Sequence, residues 1–290
     1  MPDLNSKLLQ DVTIIVVTFN SAHCIERLGV LLRDCPHIIV VDNGSEDGTQ
    51  IDVAQKLPQA HWLALGKNLG FGAANNRALA EVKTAFALLL NPDCEVGPQE
   101  IVKLVEVSNQ YPNAAIVAPQ LVSPSGIPEI NYRWPHTLWT SNGPAAEGPA
   151  CVGFVCGAAM LWRMANMSPT HWFDERFFLY YEDDDLCLRL FQQGQGMLIA
   201  PHILATHRSR GSVRGKHPLK HEYVRGYHHA QSKLIFDQKH QGLGAAKRHQ
   251  QRLILITLGI FPLRILLPSP RLIARMWGRL RGLFEWKHHD

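Results

Sequence analysis

The sequence predicts an α/β fold with a mostly parallel sheet flanked by helices. Three observations predict it. Short apolar runs rich in β-branched residues recur through the first third of the chain. Helix-compatible stretches lie between them, and several of the runs end in loops of Asn, Asp, Gly and Ser. Strands alternating with helices in this way build parallel sheets through crossover connections.

The elements follow in order. VTIIVVTF at 12–19 is apolar on both faces, as a buried parallel strand is. A helical stretch fits 22–34, and HIIVVDNGS at 37–45 is a second strand running into a turn-rich loop. Residues 49–57 suit a helix, HWLAL at 61–65 a third strand, and GFGAANNRALAEVK at 70–83 a loop entering a helix. AFALLLNPD at 85–93 is a fourth strand with a polar end, and 98–110 fits a helix. Residues 120–150, rich in Pro, Gly and Ser, read as long loops. Beyond them lie CVGFVCGAAMLWR (151–163), FDERFFLYYEDDDLCLRLFQQG (173–194) and GMLIAPHILATHRSRGS (196–212). No internal repeat is visible. Ligands of such sheets bind beyond the carboxyl ends of the strands. Three polar loops fall there: TFNS (18–21), DNGSEDG (42–48) and NPD (91–93).

The 290 residues suffice for one large domain with an appendage, expected as 1–240 and 241–290. The six cysteines are scattered, without a CxxC pair, which suits reduced thiols. MPDLNSKLLQD lacks a basic start followed by an apolar run, so a cytoplasmic location is expected. The net charge of +4 is uneven: residues 246–290 hold nine Lys/Arg against Glu285 and Asp290. A basic end of this kind suits a local anionic partner.

Candidate chemistry sits on three features. Asp93 follows a strand and a proline turn, where a carboxylate can bind a hard divalent ion such as Mg²⁺ or Mn²⁺. Asn-Pro-Asp is equally an ordinary turn. The run Glu182, Asp183, Asp184, Asp185 precedes a helical pattern and follows Phe177, Phe178, Tyr180 and Tyr181. Acids are favoured at a helix N-terminus, so a capping role is the plain alternative. Four in a row exceed what a cap needs, and an ionised carboxylate among aromatics can act as a general base. His207, in ILATHRS, offers an imidazole that can ligate a divalent ion, although it is one of fifteen histidines.

Together these segments resemble the family 2 glycosyltransferases of the GT-A (Rossmann-like) fold, in the rhamnosyltransferase-like branch. The motifs that carry the resemblance are IIVVTFNS (14–21), VVDNGSEDGT (40–49), NLGFGAANN (68–76), LLLNPDC (89–94), GAAMLWR (157–163), FDERFFLYYEDDDLCLR (173–189) and the His207 segment. They span roughly 11–212 in family order.

The resemblance implies an inverting, metal-dependent transfer of a hexose from a nucleotide diphosphate to a glycan or lipid-linked acceptor in surface polysaccharide synthesis. It implies that Thr18, Asn20 and Asp42 line the nucleoside pocket, and that Asn68, Gly70 and Asn75 or Asn76 lie near nucleotide and sugar. Asp93 and His207 are implied metal ligands for Mg²⁺ or Mn²⁺. Asp183 is the implied base, with Glu182 and Asp185 as supporting carboxylates. Gly157, Ala158, Ala159 and Met160 are implied to border donor and acceptor. dTDP-L-rhamnose is the leading donor implied, with UDP-sugars behind it. One departure concerns the metal strand, where many relatives carry Asp-x-Asp and this chain has Asn91-Pro92-Asp93. Asn91 can still hydrogen-bond a ribose or phosphate, without charge.

The basic end holds LILITLGIFPLRILL (253–267), interrupted by Pro262 and Arg264 and too short to cross a bilayer, which needs about 20 residues. In RLIARMWGRLRGLF (271–284), at about 100° per residue, Leu272, Ile273, Met276, Trp277, Leu280, Leu283 and Phe284 share one arc and Arg271, Arg275, Arg279 and Arg281 another. A basic amphipathic helix suits an anionic membrane surface, here the inner face of the cell membrane, through 253–284. A helix packed on the domain or in a dimer is the competing expectation. The apolar arc argues against nucleic acid. Two other functions compete: a non-catalytic nucleotide-sugar-binding subunit, and a sugar-1-phosphate nucleotidyltransferase. The latter wants a glycine-rich, basic loop after the first strand, which TFNSAHC does not supply.

Overall fold

The computed structural model describes residues 4–134, 144–208, 211–213, 217–266 and 269–287. Residues 135–143 of the expected loop stretch, 209–210 of the 196–212 segment, 267 of the apolar run and 288–290 of the tail lie outside them. The chain divides into two compact units. One comprises Met1–Leu69, Ala73–Phe173 and Leu186–Arg214, the other Gly70–Gly72, Asp174–Asp185 and Gly215–Asp290.

The elements of the first unit begin with α1 (Leu4–Gln10), β1 (Val12–Thr18), α2 (Ala22–Leu31), β2 (His37–Asp42), α3 (Thr49–Lys56) and β3 (His61–Ala64). They continue with α4 (Phe71–Leu79), β4 (Phe86–Leu90), β5 (Cys94–Glu95), α5 (Pro98–Gln110) and β6 (Ala114–Val122). The short strands β7 (Tyr132–Arg133), β8 (Ala150–Cys151) and β9 (Phe154–Val155) precede β10 (Ala159–Arg163), α6 (Glu182–Gln192, its first turn counted with the second unit) and β11 (Gly196–His207). The sheet runs β3-β2-β1-β4-β10-β6-β11-β5, with β8 beside β11, while β7 and β9 pair separately. The first four strands are parallel, as the strand–helix rhythm predicts. The second half is mixed: β10 runs antiparallel to β4 and β6, and β11 runs parallel to β6. Ile14, Ile15 and Val16 of β1 and every residue of β4 are buried, which is why these runs lack polar alternation.

Among the elements of this unit not expected from the sequence are a long buried strand and a first helix. The β6 run AAIVAPQLV is buried along its whole length, yet Pro119 and Gln120 disguise it. Helix α1 packs against α5 ahead of the first strand.

The second unit is built on α7 (Pro218–Gln241), α8 (Leu243–Leu266) and α9 (Pro270–Glu285). The boundary expected at 240 falls at the last turn of α7, which packs with α8 and α9. Helices α7 and α9 approach to backbone contact. A Cβ on Gly226 would lie 2.0 Å from the Arg275 carbonyl oxygen, and one on Gly278 2.0 Å from that of Tyr223. The arc read from the sequence of α9 therefore divides: Leu280 and Leu283 are buried, whereas Leu272, Trp277 and Phe284 stay exposed. Small residues set the closeness of the helix contact, and only Leu280 and Leu283 of the arc join in it. Helix α8 continues through Pro262, at a cost of about 3 kcal/mol for a missing backbone bond and a ring clash. No described helix is long and apolar enough to cross a membrane.

Candidate active site

The first cluster lies at the carboxyl ends of β1 and β2. Their register sets Thr18 opposite Asp42. Fully buried Thr18 donates its hydroxyl to Asp42 Oδ1 at 3.3 Å and to the Val41 carbonyl at 3.2 Å. Asp42 Oδ2 accepts the Ser45 N–H at 3.0 Å. Asn20 takes a left-handed backbone (φ 53°), donates its N–H to Ser45 Oγ and accepts the Glu46 N–H on Oδ1 at 2.8 Å. Asn tolerates that conformation better than most residues. Asp47 serves the first turns of both flanking helices by accepting the N–H groups of Ala22 and Thr49.

Asn43, Ser45 and Asp47 were absent from the residues expected at the site. Asn43 is the stitch: Nδ2 donates to Asn68 Oδ1 at 2.9 Å, and Oδ1 accepts the Leu69 N–H at 2.8 Å. The signal that could have found it is the Asp-Asn-Gly-Ser turn, whose Asn bonds backbone rather than ligand. Gly44 (φ 82°) is needed because a Cβ would stand 2.9 Å from Lys67 Cα. In α4, Asn76 spends its amide on the backbone of Phe173, donating to its carbonyl at 2.8 Å and accepting its N–H at 3.1 Å. Asn75 is equally buried. These bonds make Asn76 a latch between chain segments.

The second cluster depends on strand pairing between distant residues. β5 runs antiparallel to β11 and sets Cys94 opposite His207. Asp93, just before β5, comes to lie beside His207, with Oδ1 3.7 Å from Nε2. Asp93 Oδ2 accepts the Gly211 N–H at 2.8 Å, while Oδ1 is buried and accepts no hydrogen bond. An orphaned carboxylate oxygen is costly, so it marks a place where a cation fits. Among the described residues no group of three His, Cys, Asp or Glu gathers for a metal. A carboxylate oxygen and an imidazole nitrogen side by side are the donor types that suit Mg²⁺ or Mn²⁺. Asn91 donates its N–H to the Ala158 carbonyl at 2.9 Å, which lays the Gly157–Ala158 turn beside the metal strand. Ala159 and Met160 already belong to β10 and are buried in the sheet.

The third cluster is the acidic turn of the second unit. Glu182, Asp183, Asp184 and Asp185 form the first turn of α6, where the helix dipole favours negative charge. Tyr180 (φ 69°) and Tyr181 (φ 65°) precede it, both left-handed. Each costs about 1–3 kcal/mol and persists only if its surroundings enforce it. Helix α7 does so. Ser232 Oγ donates to the Leu179 carbonyl at 2.9 Å, and the His229 ring lies 5.5 Å from both tyrosine rings. Gly70 (φ 93°) belongs to the same arrangement, for a Cβ there would meet the Phe178 carbonyl oxygen at 2.3 Å.

The four acids differ in environment. Asp185 is fully buried and paired with Lys239 and His240. Glu182 is buried with Oε2 lacking a hydrogen bond. Burial, aided by the Asp183 charge, pushes its carboxyl well above the ordinary range. Asp183 is half-buried, its Oδ1 accepting the Asp184 N–H at 3.0 Å. The turn therefore holds a carboxyl raised by burial, a carboxylate paired with Lys239 and His240, and between them half-buried Asp183 and Asp184 near a positive helix end. That pattern suits Asp183 to accept a proton.

The sequence profile described as glycosyl transferase family 2 matches residues 13–168. The chain is 27% identical over 266 residues to the N-acetylglucosaminyl-diphospho-decaprenol L-rhamnosyltransferase of Mycobacterium tuberculosis, covering 79% of this chain and 85% of that protein. It is 28% identical over 193 residues to the low-salt glycan biosynthesis hexosyltransferase Agl10 of Haloferax volcanii, covering 63% and 62% respectively. Among solved structures, the fold is similar to the mannosyltransferase PcManGT from Pyrobaculum calidifontis in complex with GDP-Man and Mn²⁺, with a TM-score of 0.55 at 17% identity, covering 94% of this chain and 86% of that one. Residues 1–349 of Staphylococcus aureus TarS give a TM-score of 0.55 at 14% identity, covering 94% and 91%.

Proposed function

The chain belongs to glycosyl transferase family 2 and is a glycosyltransferase, and from that premise we propose that it transfers a sugar with inversion from a nucleoside diphosphate to a lipid-linked glycan acceptor. The leading donor is dTDP-L-rhamnose, with UDP-sugars as the alternative. The observation that carries the proposal is the buried, unpartnered Asp93 Oδ1 facing His207. Those two residues would hold a divalent ion, which supplies compensation for charge on the departing nucleoside diphosphate.

The chain's own groups do the rest. Thr18, Asn20 and Asp42, stitched by Asn43 to Asn68, form the nucleoside pocket. Asp183 accepts the proton of the acceptor hydroxyl as its oxygen attacks the anomeric carbon. Single displacement inverts that carbon, so a product whose anomeric configuration, determined by NMR, is opposite to the donor's supports the reading, and retention rejects it. A thermal-shift screen of dTDP-rhamnose, UDP-glucose, UDP-galactose and UDP-N-acetylglucosamine with Mg²⁺ or Mn²⁺ identifies the donor. No metal-dependent shift with any of the four would refute the nucleotide-sugar site.

The acceptor class suggests a membrane face, and we place it on the second unit. Leu255, Ile256, Leu258 and Ile260 of α8 and Leu272, Trp277 and Phe284 of α9 are exposed, near basic Arg252, Arg264 and Arg271. Apolar side chains among arginines fit anionic lipid headgroups, as expected of a protein peripheral to the inner face of the membrane. Ile260→Glu combined with Trp277→Glu should lower flotation with anionic liposomes. Unchanged flotation removes this face.

A further inference from the structure

Asp185 is completely buried, yet it carries two side-chain partners, a lysine and a histidine. Its Oδ1 lies 2.6 Å from Lys239 Nζ and 2.8 Å from His240 Nε2, both at the C-terminal end of α7. Lys239 also reaches Asp174 Oδ2 at 2.7 Å, and Asp174 is gripped in turn by Arg176. Burial acts to raise the Asp174 carboxyl, but hydrogen bonds from Arg176 and Lys239 outweigh it and hold the group far below the usual range. The His240 ring rests on Phe236, 4.5 Å between centroids. A buried carboxylate tolerates its desolvation only when its partners hold it in one geometry. Asp185 therefore cannot turn, and neither can the helical turn that bears it, which is closed by the Asp185 N–H donating to the Tyr181 carbonyl at 2.9 Å.

The consequence lies two residues earlier. On an α-helix, Asp183 is displaced from Asp185 by about 200° around the axis. Whatever clamps Asp185 on one face sets where Asp183 points on the other. We propose that Lys239 and His240 are positioning residues of the transfer reaction, acting through Asp185 to aim the Asp183 carboxylate. This rests on the reading of Asp183 as the base. It gives α7 a role in turnover: its other contacts, Ser232 on Leu179 and His229 on the two strained tyrosines, secure the approach to the same turn.

Steady-state kinetics and donor titration on full-length Lys239→Met and His240→Ala measure it. Misaiming a reacting group costs about 10- to 100-fold, and that loss is expected in kcat. Donor affinity, measured by calorimetry with the nucleoside diphosphate, should stay within about twofold, because binding does not use the turn. His240→Gln keeps a neutral N–H donor and should recover most of the loss. In an Asp183→Asn background, Lys239→Met should cost nothing further, since both changes act on one carboxylate. Full kcat in folded Lys239→Met and His240→Ala overturns the proposal, as does an undiminished extra loss on top of Asp183→Asn. Should circular dichroism find both loss variants unfolded, Lys239→Arg decides: lowered kcat with intact donor binding supports the role, and wild-type kcat ends it. Active Asp183→Asn removes the base assignment itself. Inactive Asp183→Asn beside fully active Lys239 and His240 variants removes only the positioning role.

Discussion

The Asp93–His207 pair and the acidic turn at 182–185 hold their carboxylates by different means. Asp93 is placed by backbone. It precedes β5, β5 pairs with β11, and the Gly211 N–H fixes one oxygen while the other faces His207. Asp183 is placed by side chains. A turn strained at Tyr180 and Tyr181 is pinned by Ser232, His229, Lys239 and His240, all from one helix. Backbone ladders tolerate most side-chain changes and respond to backbone ones. Side-chain clamps respond to nearly any change in their members, because each buried charge depends on its partner. The two carboxylates can thus be equally fixed, yet fail through different residues.

That contrast can be broken at four points. The largest effect is expected from Asp183→Asn, which should lower transfer by about 10²- to 10⁴-fold while leaving donor affinity in calorimetry unchanged. Near-normal transfer by the folded variant would end its role as base. Next is Gly211→Ala on the backbone side. Its Cβ would stand 2.6 Å from the Arg208 carbonyl oxygen and 3.2 Å from Asp93 Cβ, so the loop must leave the carboxylate. Loss of such an outer partner lowers metal affinity by about 10- to 100-fold, readable by Mn²⁺ electron paramagnetic resonance titration. Wild-type Mn²⁺ affinity would show that Gly211 does not orient Asp93.

Third is Gly70→Ala, which puts a Cβ on a left-handed residue 2.3 Å from the Phe178 carbonyl oxygen. A urea melt should register a loss of about 1–3 kcal/mol, and no loss would mean the turn can retreat freely. The smallest concerns Glu182. Its folded carboxyl titrates above its unfolded value because burial opposes the charge. The folded state then keeps a proton the unfolded chain gives up, so stability falls as pH rises above the ordinary glutamate range. Glu182→Gln should remove that fall and gain stability at pH 7 relative to pH 4. Parallel pH–stability curves for the two proteins would deny the buried carboxyl.

Legibility divides along the same line. The strands β1, β2 and β4 were plain from runs of buried β-branched and apolar residues, and the Thr18–Asp42 pairing follows from two such runs side by side. β6 was hidden by Pro119 and Gln120. Helix α7 was hidden for a better reason: its inward residues include Gly226, Ala230, Ser232 and Asp237, which make no apolar stripe. Periodicity finds helices that bury hydrocarbon, and α7 buries backbone contacts and charges as well. The apolar arc of α9 was visible, yet its packing used Gly226, Gly278 and Gly282, because only glycines admit backbone that close.

By itself the sequence determined the alternating strands and helices, the family, and the candidate acids and histidine, since these are local patterns of residue type. Only the tertiary structure decided the surroundings of each acid. Burial and partners are properties of packing: they pair Asp185 with Lys239 and His240, push the Glu182 carboxyl above its ordinary range, and leave Asp183 and Asp184 half-buried. Only strand pairing across the chain brings His207 to Asp93, because two residues so far apart in sequence meet through the hydrogen-bonded register of β5 and β11.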